Sequence, residues 1–413
     1  MRPAVRLAIL APLRHRDFRL LFIGQAVSVV GNQVYAVALP FQILALGGSP
    51  LQLGVGFTVF AGAQLVTILF GGALVDRFPR RRVILTMDFL SAFVVALVAV
   101  LGLTHRLQIP YLYVLSAFFG ATFSFYTPAL SAIMPELIPA DALVPGNALR
   151  GLSTQSARVV GPLVGGLIVT ALGAPIAFAV DAATFAFAFG VFWFSRQLAR
   201  EPQARKPLLR EIRDGVDYTF SVTWIWLSIV GFAATNGFFF AGFTVAMPIL
   251  VFSVLKGTAL TYGLINAVAA VGELTGGLLV GNVHFKRLLV GTYVFSSLLG
   301  IAFTVIGLAP VLVVVMAGGF LFNLCLVLSN THWDSALQTY VPSRLLGRVT
   351  SIDFFGSYLV GPIAPVAAAA VLLRVGPGPI FVVGGLIAAV YWVVAMALVR
   401  PDRRALDRAA RAE

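Results

Sequence analysis

Apolar residues in this chain run in long stretches separated by short polar turns. Twelve of the stretches reach the roughly 20 residues that a helix needs to cross a bilayer core. They lie at 18–46, 51–75, 83–103, 110–133, 146–170, 174–195, 223–254, 258–283, 288–308, 310–333, 348–372 and 377–399. Each predicts a membrane-spanning helix, because a segment in hydrocarbon satisfies its own backbone hydrogen bonds only by coiling. One polar stretch is long, 196–222, and it divides the spans six and six. The expected organisation is a bundle over 1–195, a cytoplasmic linker over 196–222 and a second bundle with a short tail over 223–413. Inside the linker, LLREIRDGVDYTF at 208–220 has apolar residues at helical spacing and predicts a short helix lying on the membrane surface.

The polar turns carry the charge, and they carry it on one side. All but four of the 29 Lys and Arg residues fall in, or within about one turn of, segments that share a side with both termini; the four are Arg106, Lys256 and Arg374 in opposite turns and Arg158 deeper within a span. The positive-inside rule therefore predicts cytoplasmic termini. With 59% hydrophobic and 11% charged residues, the chain falls outside the soluble globular class, in which about a quarter of residues are charged. The net charge of +13 is then topological, and it argues against a nucleic-acid partner because the basic residues sit between apolar runs rather than on one folded face. The single cysteine, Cys325, lies in an apolar run and is expected to serve packing; a disulfide framework and a thiolate metal site are excluded. No phosphate-binding loop, zinc-protease helix or nucleophile elbow occurs, so no cofactor and no enzymatic chemistry are expected. Met1 to Arg19 is polar and arginine-rich, so the first span is expected to act as its own signal.

Ionisable groups within spans each cost roughly 2.5–3.5 kcal/mol and so ask for a partner or a function. Glu273 and Asp181 are the candidate proton carriers, with Arg158 as the only basic residue at that depth; Asp88 and Asp353 lie nearer span ends and read as structural. Polar residues also fall in stripes. Gln25, Ser28, Asn32 and Tyr35 share a face of the first span, as do Thr122 and Tyr126 in the fourth, Asn323, Asn330 and Asp334 in the tenth, and Asp353 and Ser357 in the eleventh. Asn236 is followed by Phe238, Phe239, Phe240 and Phe243. Gln25, Asn32, Tyr35, Tyr126, Asn236, Phe239, Asn323, Asn330 and Ser357 are accordingly the expected wall of a large aromatic cavity with few fixed charges, suited to a bulky, mostly apolar ligand.

Two motifs organise the first half. GALVDRFPRRR at 72–82 ends one apolar run and begins the next, and a weaker copy follows at 277–288, with Gly281 in the place of Asp76. The second motif is GPLVGG at 161–166, which predicts a bent helix with a tight seam. The first resembles the signature turn of the major facilitator superfamily: Gly72, Leu74, Asp76, Arg77, Arg80 and Arg81 match it, while Pro79 replaces its inner glycine. Gly161, Pro162, Gly165 and Gly166 resemble that superfamily's antiporter motif, which is associated with export. The phrases RDFRLLFIGQAVSVVGNQ, GGSPLQLG, PELIPADALVPGNAL and FAVDAATFAFAFG are similar to the branch of the enterobactin exporter and macrolide efflux proteins. The resemblance implies an all-α membrane protein of twelve helices in two pseudo-symmetric six-helix bundles. It further implies a monomeric secondary exporter of a drug, macrolide or siderophore in the bacterial inner membrane, driven by protons. The span-four arginine of proton-coupled drug antiporters is absent between Tyr111 and Ile133. An importer or facilitator of the same fold is disfavoured by the export motif, and a non-transporting scaffold or sensor by the absence of a sizeable extramembrane domain.

The topology is directly testable. A cysteine replacing Ser49 is expected to react with an impermeant thiol reagent added outside cells, and one replacing Ala204 to stay protected; the reverse pattern overturns the assignment.

Overall fold

In a computed structural model the chain is helical almost throughout the residues described, which are 10–75, 78–196, 216–280, 287–309 and 311–399. After a single tight turn at Ala11–Arg14, the first six helices are α1 (Arg16–Ala45), α2 (Pro50–Val75), α3 (Arg80–Leu103), α4 (Ile109–Leu137), α5 (Ala140–Leu172) and α6 (Ala174–Trp193). The second set is α7 (Thr223–Ala241), α8 (Ala259–Leu279), α9 (Leu288–Leu308), α10 (Leu312–Tyr340), α11 (Ser343–Tyr358), α12 (Ala364–Val375) and α13 (Gly378–Leu398). Proline sits just ahead of α3, α5 and α11 as Pro79, Pro139 and Pro342, and in the first turn of α4 and α6 as Pro110 and Pro175. Its fixed φ and missing N–H suit a helix start, where the donor would be unused.

Eleven helices among the described residues are long and apolar enough to cross a membrane. The predicted span over 348–372 is instead two shorter helices, α11 and α12. Between them the backbone closes short turns, with Gly361 N donating to Tyr358 O at 2.9 Å and Ile363 N to Val360 O at 3.1 Å. Pro362 offers no donor there, so one rung of the ladder is missing at this turn. The seventh predicted span is also irregular: α7 continues through π-helical turns at Gly242–Ala246 and Leu250–Val254 on either side of Met247–Ile249, which contains Pro248. Only 216–220 of the expected surface helix lies among the described residues, and that piece is helical.

The chain forms two compact units, one of Met1–Pro202 with Val251–Ala267 and one of Gln203–Leu250 with Val268–Glu413. In the first, α1 packs on α5 and α6, α3 on α4 and α6, and α2 on α4. Its core at one end gathers Phe18, Leu21, Ile84, Ile133, Leu149 and Phe192 from five helices. In the second, α9 packs against both α10 and α13, and α7 against α11, α12 and α13. Cys325 of α10 is buried among apolar neighbours, 7% exposed. Large apolar side chains cover the outside, among them Phe93, Val114, Leu167, Leu278, Val313 and Leu398, as a lipid-facing surface requires.

Hydrocarbon gives apolar helices no reason to exclude one another's lipid neighbours, so close backbone approach has to hold them together. The α9–α13 seam shows this. A Cβ at Gly300 would stand 2.6 Å from Ala389 N and 2.7 Å from Gly385 O, and one at Gly385 would stand 2.6 Å from Thr304 N. These obstacles are backbone, which cannot give way. Gly190 of α6, by contrast, has nothing within 4 Å of its Cβ position. Gly385→Ala is therefore expected to lower the melting temperature in detergent, while Gly190→Ala raises it through the ~1 kcal/mol advantage of alanine in a helix. Equal effects of the two changes would remove the close-packing account.

Candidate functional site

The second unit holds a cavity of about 240 Å³ between α7, α9, α10, α11 and α13. Its wall includes Asn236, Phe239, Asn330 and Ser357, four of the residues expected from the sequence, together with Trp333, Asp334, Asp353 and Trp392. Asp353, 9% exposed, is the polar centre. Trp333 Nε1 donates to its Oδ2 at 2.8 Å and Ser357 Oγ to its Oδ1 at 3.1 Å, while Asn236 Nδ2 reaches Ser357 O at 3.3 Å. Three rings close one side, with Phe232 centred 5.2 Å from Trp333 and 4.7 Å from Trp392. Asn330, Asp334, Phe354 and Tyr358 are exposed around the mouth. Of the phenylalanines after Asn236, Phe239 touches this wall and Phe243 does not; Phe243 packs on Phe303 at 5.6 Å and Phe322 at 4.8 Å. Asn323 turns away as well, its Nδ2 donating to Gly319 O at 3.0 Å one turn back on α10.

The first unit gathers its polar residues differently. Gln25 of α1 donates to the Tyr126 hydroxyl of α4, and Asp88 of α3 and Arg150 of α5 stand beside that tyrosine. Asp88 is 1% exposed and neither of its carboxylate oxygens has a hydrogen-bond partner among the described residues. Nearness to a span end therefore did not make it a solvated residue. Asp181 is fully buried, also with both oxygens unpartnered among the described residues. It lies against α1, where a Cβ at Gly31 would be 2.6 Å from Oδ1; the Thr184 hydroxyl nearby donates to the Asp181 backbone O at 2.7 Å instead. Tyr35 is packed on Phe119 at 4.6 Å with its hydroxyl facing Ser116, and Asn32 is exposed. Arg158 is exposed on α5 and Glu273 half-buried on α8, and neither side chain is without a partner.

The arginines of the basic turn tie helix ends together. Arg80 pairs with Glu136 at the end of α4. Arg81 Nε donates to Ser195 Oγ at 2.9 Å and its guanidinium lies 6.0 Å from the Trp193 ring, both just at the end of α6. Asp76 and Arg77 lie outside the described residues, and of Gly72 only its helical backbone is described. The small residues of α5 seat two neighbours. A Cβ at Gly161 would overlap Gln33 of α1, and one at Gly165 would come 2.9 Å from Val34 Cα. On the other side, a Cβ at Gly166 would stand 2.6 Å from Ala259 O and 2.8 Å from Leu260 Cα, while one at Gly263 would overlap Pro162 O. Thr170 Oγ1 accepts from Leu260 N at 3.0 Å along the same seam.

The sequence model of the Major Facilitator Superfamily covers residues 21–365. The chain belongs to the major facilitator superfamily. It is a multi-pass membrane transport protein and not an enzyme. It is 27% identical over 377 residues to the Enterobactin exporter EntS of Salmonella paratyphi A, covering 86% of this chain and 89% of that one. Against the protein of the same name from Escherichia coli O1:K1 the identity is 26% over 378 residues, with 86% and 88% covered. Among solved structures, a bacterial homologue of the iron transporter ferroportin in its inward-facing state aligns with a TM-score of 0.72 at 15% identity, over 92% of this chain and 98% of that one. This similarity shows the shared fold.

Sequence reasoning missed Trp333 as the donor to Asp353, and Arg150 as a neighbour of Tyr126. Trp333 stands three residues after Asn330 and next to Asp334 on α10. That place beside a marked polar stripe was the available signal, since an indole N–H inside a span also needs an acceptor.

The two kinds of buried acid should answer oppositely to neutral replacement. Asp353 accepts two hydrogen bonds, so Asp353→Asn is expected to lower the melting temperature by several degrees. Asp88→Asn and Asp181→Asn remove carboxylates that accept none among the described residues, and are expected to leave it unchanged or raise it. A common drop in all three would mean that Asp88 and Asp181 are held by partners of equal worth.

Proposed function

We propose that this chain is an exporter in the plasma membrane of a bacterium, working as a monomer with both termini in the cytoplasm. It carries a small amphipathic molecule, a drug, macrolide or siderophore, outward in exchange for protons by alternating access. The observation that carries the reading is the similarity over 86% of the chain to proteins named as enterobactin exporters. The close glycine seam of α5 supports it, because Gly161, Pro162, Gly165 and Gly166 build the motif associated with export. In this reading Glu273 or Asp181 carries the coupling proton, with Arg158 as the approaching basic charge. Gly72, Asp76, Arg77, Arg80 and Arg81 hold one end state, and the bundles 1–195 and 223–413 move about the linker 196–222.

The test is a panel of drugs, macrolides and siderophores in an efflux-deficient bacterial host with and without the protein. Raised resistance or secretion for one amphipathic class is expected, abolished by a protonophore and by Glu273→Gln or Asp181→Asn at equal membrane abundance. Accumulation of the compound inside cells would favour an importer, and no change for any compound would remove the export reading. Export that survives the protonophore and both substitutions would remove proton coupling alone.

A further inference from the structure

The cavity of the second unit has a size, a sign and a wall that together select what enters it. At about 240 Å³ it falls below the roughly 300–1,000 Å³ that encloses a whole drug-sized ligand. It therefore takes one end of a molecule. Its lining includes two carboxylates, Asp334 at the mouth and Asp353 inside, and among the described residues no Lys, Arg or His. The donors that reach Asp353 are the Trp333 indole and the Ser357 hydroxyl; both are neutral, so they satisfy its lone pairs without cancelling its charge. The remaining wall combines aromatic rings, among them Phe232, Trp333, Phe354 and Tyr358, with uncharged Ser, Thr, Asn and Leu side chains. Ring faces attract a cation that has shed its water, and tryptophan does so best. An anionic head would instead meet like charge at the mouth and again at the floor.

We propose that this cavity is a subsite for the cationic head, an amine or quaternary ammonium, of an amphipathic substrate. The assignment rests on the reading of the chain as a carrier and narrows its substrate class. Asp334 draws the head to the mouth, and the exposed Phe354 and Tyr358 rings with Asp353 behind them hold it, while the apolar remainder of the molecule stays outside the cavity.

The test uses binding alone. The purified full chain in lipid nanodiscs, with no gradient applied, is titrated with octyltrimethylammonium, with its uncharged isostere carrying tert-butyl in place of trimethylammonium, and with octyl sulfate. The ammonium is expected to bind about tenfold more tightly than the isostere, and the sulfate most weakly. Asp334→Asn is expected to remove most of that preference and leave the isostere's affinity unchanged, with Asp353→Asn acting in the same direction. Equal binding of ammonium and isostere, preference for the sulfate, or a preference that survives both substitutions would each overturn the assignment. Should Asp353→Asn fail to fold, Asp334→Asn at the exposed mouth decides the matter. Because nothing is transported in this experiment, its failure leaves the export reading standing, and a failed efflux panel leaves the binding result standing.

Discussion

A backbone carbonyl in hydrocarbon has no water to turn to, and this one constraint shapes every part of the molecule. It makes the spans helical, and it sets a cost on every interruption of the helical ladder. Two interruptions show how that cost is met locally. Between α11 and α12 the turn at Leu359–Ile363 closes its own short bonds around Pro362. In the seventh span the chain passes Pro248 by way of wider turns rather than by breaking. With backbone polar groups occupied inside each helix, helices meet through whatever their surfaces allow, and the α9–α13 and α5–α8 seams close at glycine.

The same absence of water separates the two units in how they hold acid groups. In the second unit Asp353 is held by two neutral donors beside an open cavity. In the first, Asp88 and Asp181 are enclosed with no donor to either carboxylate among the described residues. An acid with donors is positioned and keeps a defined face toward the cavity. The arginines at the start of α3 are the opposite case, since Arg80 and Arg81 reach partners on the ends of α4 and α6 and so fasten three helices at one place.

Much of this was legible in the chain. Eleven of the apolar stretches became long membrane-crossing helices, because span length depends on bilayer thickness and little else. The eleventh stretch is interrupted at 359–363 around Pro362, a feature that hydropathy does not register. The start of that stretch differs too: with the span begun at 348, Asp353 lay near an end, whereas α11 begins at Ser343 and Asp353 accepts from Trp333. The stripe of Asn323, Asn330 and Asp334 was correct as a helical face, yet it could not show that the Asn323 amide bends back to Gly319. Asn236, Phe239, Asn330 and Ser357 lie on one cavity wall, because α7 packs directly on α11 and brings Asn236 to the Ser357 backbone.

The burial of Cys325 bears on how motion in this protein can be followed. Its sulfur is the only thiol in the chain and its side chain is enclosed within α10, out of reach of bulky maleimide and methanethiosulfonate probes. The natural sequence is thus expected to give little labelling background. Pairs of spin labels or fluorophores can be introduced without first rebuilding the core, so distances recorded between them report on the unaltered packing of the helices.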